Sequence, residues 1–261
     1  MVGYGVGPLF LSPISEVPFI GRTAPYIICL LLFCAVQLPT AACNNIAPFL
    51  VLRFLAGFVG SPPLATGGAS LADIFYPNKL PYAMGIYGVS ASAAPSLAPI
   101  VAAFAIQETG DWTWPFWEMF FASLFTLVLL SFSLPETSKD TILLRKAARL
   151  RKITGNDKLR ALSEIQQAHL SVSEALFDAL IRPITMTFTE PIIIAVNLYN
   201  GLIYAVMYSF FKSFPLVYGE GGYGWNLGVS SLPFLGLVVG EGLGVGGYAL
   251  WNWYAFSPFF P

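Results

Sequence analysis

Long apolar runs separated by short polar turns set the pattern of this chain. The stretch from Leu50 to Phe75, LVLRFLAGFVGSPPLATGGASLADIF, is the one around which the others are arranged. It is long enough to cross a bilayer, for which a helix needs roughly 20 mainly apolar residues. Arg53 stands inside it among aliphatic and aromatic neighbours, and an ionisable group in that setting costs about 2.5–3.5 kcal/mol on insertion scales. Further along lie Gly57, Gly60, Ser61, Ala65, Gly67, Gly68, Ala69 and Ser70. Small residues in that density let another helix backbone come close.

The other runs fall in order around it. Residues 2–12 are apolar but too short to span alone, and read as the last half of a helix whose beginning is missing. The polar turn PISEVPFIGR follows, then spans are expected at Ala24–Cys43, at the Arg53 helix, at Ala83–Ala105 and at Pro115–Leu134. Pro95 and Pro99 sit inside the third of these, where neighbouring helices in a membrane can satisfy the carbonyls they free. Trp112, Trp114 and Trp117 occupy an interfacial position at its end. Two more spans are expected at Pro191–Phe211 and Val229–Trp251.

Composition agrees with a polytopic membrane protein: 56% of residues are hydrophobic and 10% charged, against about 25% charged in a soluble domain. Residues 135–189 break the pattern. Lys139 to Arg160 holds eight of the thirteen basic residues, and KDTILLRKAARLRKI reads as a basic amphipathic helix. A solvated loop carrying positive-inside charge is the first reading of that helix, and binding to anionic lipid the second. Alternating the loops across the membrane puts eleven of the thirteen bases on one face, Arg22, Lys79 and the bases from Lys139 to Arg182. By the positive-inside rule that face is cytoplasmic.

The ordered motifs then carry a resemblance. PISEVPFIGR resembles the signature between the second and third helices of the major facilitator superfamily, with Glu16, Gly21 and Arg22 on its acidic, glycine and arginine positions. LRFLAGFVGS resembles the helix-four motif of the fungal twelve-helix drug:proton antiporters, with Arg53 and Gly57 in place and Ala56 where glutamine is usual. AAPSLAPIVAA resembles their helix-five antiporter motif through Pro95 and Pro99, with Ala94, Ala98, Ala102 and Ala103 replacing glycines. LPETS, SEIQQAHL, LIRPI and NLYNGLIYAVMYSFFKSFPLVY continue the match. The resemblance implies an all-α transmembrane bundle, a partial major facilitator fold running from the end of helix two through helix eight. It divides the chain into residues 1–134 from the N-terminal half, a central loop at 135–189 and the start of the C-terminal half at 190–261.

Functional expectations follow the same split between residues and resemblance. The resemblance implies proton-coupled export of small hydrophobic compounds by alternating access, from the plasma membrane, with Arg53 in the proton network. Glu241, in GLVVGEGLGVGG, is the only carboxylate deep in a late span and a second candidate for proton exchange. Arg53 could instead anchor at the outer interface, within about ten residues of the Asn44 loop. Asn197, Tyr204, Tyr208 and Phe211 recur at spacings of seven, four and three, so they share a helix face suited to a cavity for flat apolar compounds. Tyrosines bonding a neighbouring helix are the alternative. Glu16, Gly21, Arg22 and Asp73 are expected as a cytoplasmic gate, with Arg22 and Asp73 as its pair. Gly236, Gly240 and Gly244, and Gly88, Ser92 and Ser96, read as rows of close helix contact.

Other classes fit poorly. His169, the only histidine, has no metal-ligand or nucleophile partner at recognisable spacing, and Cys29, Cys34 and Cys43 read as small residues of a buried helix. No cofactor, metal or nucleic-acid site is indicated, nor the charge ring of a channel. A truncated, non-transporting membrane fragment or interaction protein remains the competing reading.

Overall fold

The structure, a computed structural model, describes residues 1–156, 158–167, 181, 185–219 and 221–255; the Glu16 side chain, His169, Arg182 and Glu220 lie outside the described residues. Among the described residues there is helix and no strand. Six helical segments are long and apolar enough to cross a membrane, at Thr23–Ala41, Ile46–Ile74, Leu80–Thr109, Trp114–Ser133, Pro191–Tyr218 and Leu227–Tyr254. They match the four spans expected before the central loop and the two expected after it.

By contact the chain forms two compact units. The first takes residues 1–74 and 116–189, the second residues 75–115 and 190–261. In the first, α1 (Val2–Glu16), α2 (Thr23–Ala41), α3 (Ile46–Gly60) and α4 (Pro62–Ile74) are joined by α6 (Trp114–Ser133), α7 (Lys139–Thr154) and the short α8 (Leu162–Gln167). The second holds α5 (Leu80–Thr109), α9 (Pro191–Tyr218), α10 (Leu227–Ser231) and α11 (Phe234–Ala255).

The Arg53 span is not one helix as its hydropathy suggests. It breaks at Ser61 between α3 and α4, because Pro62 and Pro63 lack the N–H groups that would continue the ladder. Ser61 is fully buried, and its hydroxyl donates to the Phe58 carbonyl at 2.8 Å, meeting one acceptor at the break. The last span breaks in the same way ahead of α11, at Pro233. The span expected to end at Phe211 instead runs on to Tyr218 through apolar residues, with Pro215 tolerated in its last turns.

Helices α1 and α3 cross backbone against backbone. A Cβ on Gly3 would strike the Phe54 carbonyl oxygen and come 3.1 Å from the Phe58 nitrogen. One on Gly7 would strike the Phe58 oxygen and the Ser61 hydroxyl, and one on Gly57 would come 3.2 Å from the Tyr4 nitrogen. The two backbones therefore touch through glycine. On α2, Cys29 and Cys34 are buried as expected, with Cys34 Sγ 3.2 Å from Ser123 Oγ of α6. Gln37 of α2 is fully buried too, donating from Nε2 to Met119 Sδ at 3.3 Å.

In the second unit α11 packs along α5. Val245 Cγ1 lies 3.4 Å from where a Cβ on Gly85 would sit. The row Gly236, Gly240 and Gly244 does not make that contact: among the described residues nothing lies within 4 Å of a Cβ built on any of the three, and Gly88 is equally open. Spacing placed those glycines on one face correctly, but the side of α11 that meets α5 carries Glu241, Val245 and Tyr248 instead.

The α1–α3 crossing gives a test with an internal control. Gly3→Leu and Gly7→Leu should destabilise the chain in detergent by about 1–3 kcal/mol, the usual cost of overpacking. Gly5→Leu should be near neutral, since nothing lies within 4 Å of Gly5. Equal thermal shifts at the three positions would show that the crossing is not where the backbones touch.

Candidate functional site: a charged cluster at one end of the first unit

The loop from Val17 to Arg22 ends α1 and turns the chain into α2. Gly21 has φ +78°, the left-handed region that favours glycine, and its N–H bonds back to the Val17 carbonyl at 3.0 Å. A Cβ there would strike a carboxylate oxygen of Glu136 and come 3.1 Å from Thr141 Cγ2. Glycine is therefore required both by its backbone angle and by the closeness of a segment far along the chain.

Glu136 belongs to LPETS, between α6 and α7. Its Oε1 accepts from the backbone N–H groups of Arg22 at 3.0 Å, Thr137 at 3.1 Å and Ser138 at 3.1 Å. Arg145 Nη2 lies 3.9 Å from its Oε2, and Thr23 Oγ1 donates to the neighbouring Pro135 carbonyl at 3.1 Å. Burial pushes this carboxyl up, but the backbone donors of Arg22, Ser138 and Thr23 and the Arg145 charge outweigh it. The group is held below the ordinary carboxylate range. Ser138 caps α7 by accepting from Thr141 N, and Thr141 is fully buried beneath it.

The side chain of Arg22 points the other way, to the end of α4. Its Nη1 lies 2.5 Å from Asp73 Oδ2, with both side chains mostly covered at 13% and 23% exposure. The approach lacks the alignment of a directed hydrogen bond, so the contact is a Coulombic pair. Lys139 Nζ lies 3.9 Å from the other Asp73 oxygen. Tyr26 of α2 adds a polar tie to α4, its hydroxyl 2.7 Å from Thr66 Oγ1 and 3.1 Å from Ser70 Oγ. Of the four expected gate residues, Gly21, Arg22 and Asp73 therefore meet, while the Glu16 side chain is outside the described residues. Glu136 was not among the expected site residues, LPETS serving only to continue the match, although a carboxylate between proline and two hydroxyl residues at a helix boundary is a cue.

The remaining candidates occupy separate places. Arg53 lies over aromatic rings, its Cζ 4.3 Å from the Phe116 centroid and 5.4 Å from that of Phe49. Phe49 precedes it by one helical turn, and Phe116 comes from α6. Cation–π contact satisfies the guanidinium where a carboxylate partner is absent among the described residues. Ala56, in the glutamine position of the resemblance, is buried. In the second unit Glu241 faces Ser92 on α5, its Oε2 buried without a hydrogen-bond partner among the described residues, while the Ser92 hydroxyl donates to the Gly88 carbonyl at 2.9 Å. Pro95 and Pro99 lie inside the continuous α5.

Tyr204 and Tyr208 stack with centroids 6.4 Å apart, Tyr208 meets Phe211 edge-on at 5.2 Å, and Phe211 meets the buried Phe234 at 5.2 Å. The three α9 rings thus share a face and continue into α11. Asn197 lies two turns earlier on α9, exposed.

Six long apolar helical segments, a basic amphipathic helix and an intramembrane arginine lying on aromatic rings define an integral membrane protein. The sequence profile of the Major Facilitator Superfamily matches residues 1–259, and the chain belongs to that family of transport proteins. It is 44% identical over 240 residues to the multidrug transporter FLR2 of Candida glabrata, covering 92% of this chain and 40% of that protein. Identity to the cycloheximide resistance protein of Candida maltosa is 43% over 221 residues, 84% of this chain and 40% of the relative. To fluconazole resistance protein 1 of Saccharomyces cerevisiae it is 37% over 252 residues, 97% of this chain and 46% of the relative. The chain thus spans under half the length of these relatives. No solved structure matches it.

The cluster predicts a pH signature. A carboxyl depressed in the folded state stabilises fully above its unfolded value of about 4.3, and that contribution disappears as the pH falls through the lower folded value. Glu136→Gln should therefore flatten the acid limb of stability in detergent. Gly21→Ala should cost about 1–3 kcal/mol at neutral pH, from its left-handed backbone alone. An acid limb unchanged by Glu136→Gln would remove Glu136 from the account.

Proposed function

We propose that these residues form part of a carrier that exports small hydrophobic compounds in exchange for protons by alternating access. The observation that carries this reading is the similarity across nearly the whole chain to proteins named for multidrug transport and for cycloheximide and fluconazole resistance. The domain division at 134 and 190 belongs to that reading, as does a cytoplasmic face for residues 135–189 and a plasma-membrane location. Arg22 with Asp73, braced by Gly21 and Glu16, serves as the contact that closes the cytoplasmic side in one state and opens in the other. Such a contact has to be strong enough to bias two states yet breakable, and a mostly covered pair with a second cation nearby suits that.

Arg53 and Glu241 are the proposed proton-coupling groups, and Pro95 and Pro99 the helix-five elements that accompany them. Among the described residues the arginine has no carboxylate partner to compete with a transient one, and Glu241 keeps one buried oxygen without a hydrogen-bond partner. Asn197, Tyr204, Tyr208 and Phe211 supply aromatic faces and one amide for a compound without a single required shape. A non-transporting membrane fragment or interaction protein is the second reading, favoured by the share of each relative that the chain covers.

Fluconazole accumulation tests the choice in yeast lacking its own drug pumps. The cells express either this chain alone or a full-length relative in which these residues replace the matching stretch. The chimera should lower accumulation, and a protonophore should cancel the effect. Arg53→Ala should abolish export at near-normal membrane insertion, and Arg53→Lys should restore only part, for want of the planar donor fork. A correctly inserted chimera that leaves accumulation unchanged overturns the transport reading.

A further inference from the structure

The helix α7 has its faces arranged the wrong way round for a solvated segment. Thr141, fully buried, and the partly covered Leu144, Ala147 and Ala148 lie on its inner side. Its outer side carries Ile142, Leu143, Leu150 and Ile153, exposed by 45%, 50%, 39% and 80%. Ile142, Lys146, Arg149 and Ile153 recur at spacings of four, three and four, so two bases stand between isoleucines on one helical face. Four large aliphatic side chains on one outer face are more than scattered exposure explains.

The bases of α7 divide in the same sense. Arg151 is turned inward, its Nη2 2.5 Å from Glu164 Oε1, while the other Glu164 oxygen accepts from Ala161 N at 2.9 Å at the start of α8. Those donors and the Arg151 charge hold the Glu164 carboxyl below its ordinary range. Arg145 faces Glu136, and Lys139 faces Asp73. Lys146, Arg149 and Lys152 have no ion-pair partner among the described residues; Lys146 and Arg149 stand among the aliphatics, whereas Lys152 lies about three turns on from Thr141, off that face. Asp140, the acid of the helix, falls about a quarter-turn away from Lys139, off this face.

Position supplies the occupant. Helix α6, which is long and apolar enough to cross the membrane, ends at Ser133, and α7 begins at Lys139. The short connection can extend only about 3.3–3.6 Å per residue. The contacts of Glu136 with Arg22, and of Lys139 with Asp73, hold the first turn of α7 against the ends of α2 and α4. A helix held there with an aliphatic face studded with bases meets the negative headgroups and the outermost acyl carbons together.

We propose that α7 lies on the membrane surface, with Lys146 and Arg149 on anionic lipid headgroups and Ile142, Leu143, Leu150 and Ile153 in the headgroup–acyl boundary. The orientation reading supplies only which leaflet this is, the cytoplasmic one. The proposal is independent of transport activity.

The test uses the full chain in nanodiscs of phosphatidylcholine, with or without phosphatidylserine. Both faces of a nanodisc carry the same lipid, so an error in orientation leaves the result unchanged. A thiol at Ile153→Cys is reacted with a charged maleimide and compared with one at Asn156→Cys in the loop beyond the helix, each read on its own peptide to exclude the natural cysteines. Phosphatidylserine should lower the 153-to-156 rate ratio, by up to about twenty-five-fold if Lys146 and Arg149 each contribute the factor of about five that a base gains beside an anionic surface. Lys146→Gln with Arg149→Gln should return the ratio to its phosphatidylcholine value. Raised salt should do the same in the unsubstituted helix, so the result does not hang on the double variant folding. A ratio equal in the two lipids overturns the proposal: open in both, the face is solvated; shielded in both, protein covers it.

Discussion

A single carboxylate, that of Glu136, ties together parts of the first unit that the chain keeps far apart. It accepts a backbone N–H across 114 residues at Arg22 and two more from its own turn at Thr137 and Ser138. Charged acceptors make hydrogen bonds worth about 1.5–3 kcal/mol each, and donors left bare beside one another are expensive. Satisfying the turn between α6 and α7 therefore requires the turn between α1 and α2 to be in place. The left-handed Gly21 follows from that requirement, since any side chain there would displace the carboxylate.

The rest of the charged end depends on this fixed point. With its backbone held by Glu136, Arg22 directs its guanidinium toward Asp73, so the pair at the end of α4 is reached from a loop with little freedom to wander. Ser138 caps α7 while its own N–H is taken up, and the helix leaves the cluster in one direction with Lys139 near Asp73. Opening the Arg22 and Asp73 contact thus strains a network of backbone bonds as well as separating two charges. Any movement of this end would therefore carry the α6–α7 junction along with the α1–α2 loop.

Much of this was legible in the chain, and the failures have physical causes. Apolar length announced the spans, because bilayer thickness leaves few alternatives, and the mixed charges at Arg22 and Asp73 could be matched because both stand at helix ends. Arg53 was conspicuous, and Phe49 one turn before it was readable as a ring partner; Phe116 was not, since α6 supplies it. The break at Ser61 was written in Pro62 and Pro63 but masked by a continuous hydropathy signal. Glu136 could not be read from spacing, because its partner is a backbone amide with no side-chain signature. Periodicity placed Gly236, Gly240 and Gly244 on one face but carries no information about which face meets α5.

The central claim is that the Glu136 carboxylate, not the apolar packing alone, fixes the two turns to one another. Amide hydrogen exchange at residues 22, 137 and 138 measures this directly in the inserted protein. The account predicts that all three are protected, and that Glu136→Ala speeds them together by about ten-fold or more, the loss of a hydrogen bond to a charged acceptor. Acceleration at Thr137 and Ser138 with Arg22 unchanged would contradict it, because the long-range bond would then contribute nothing.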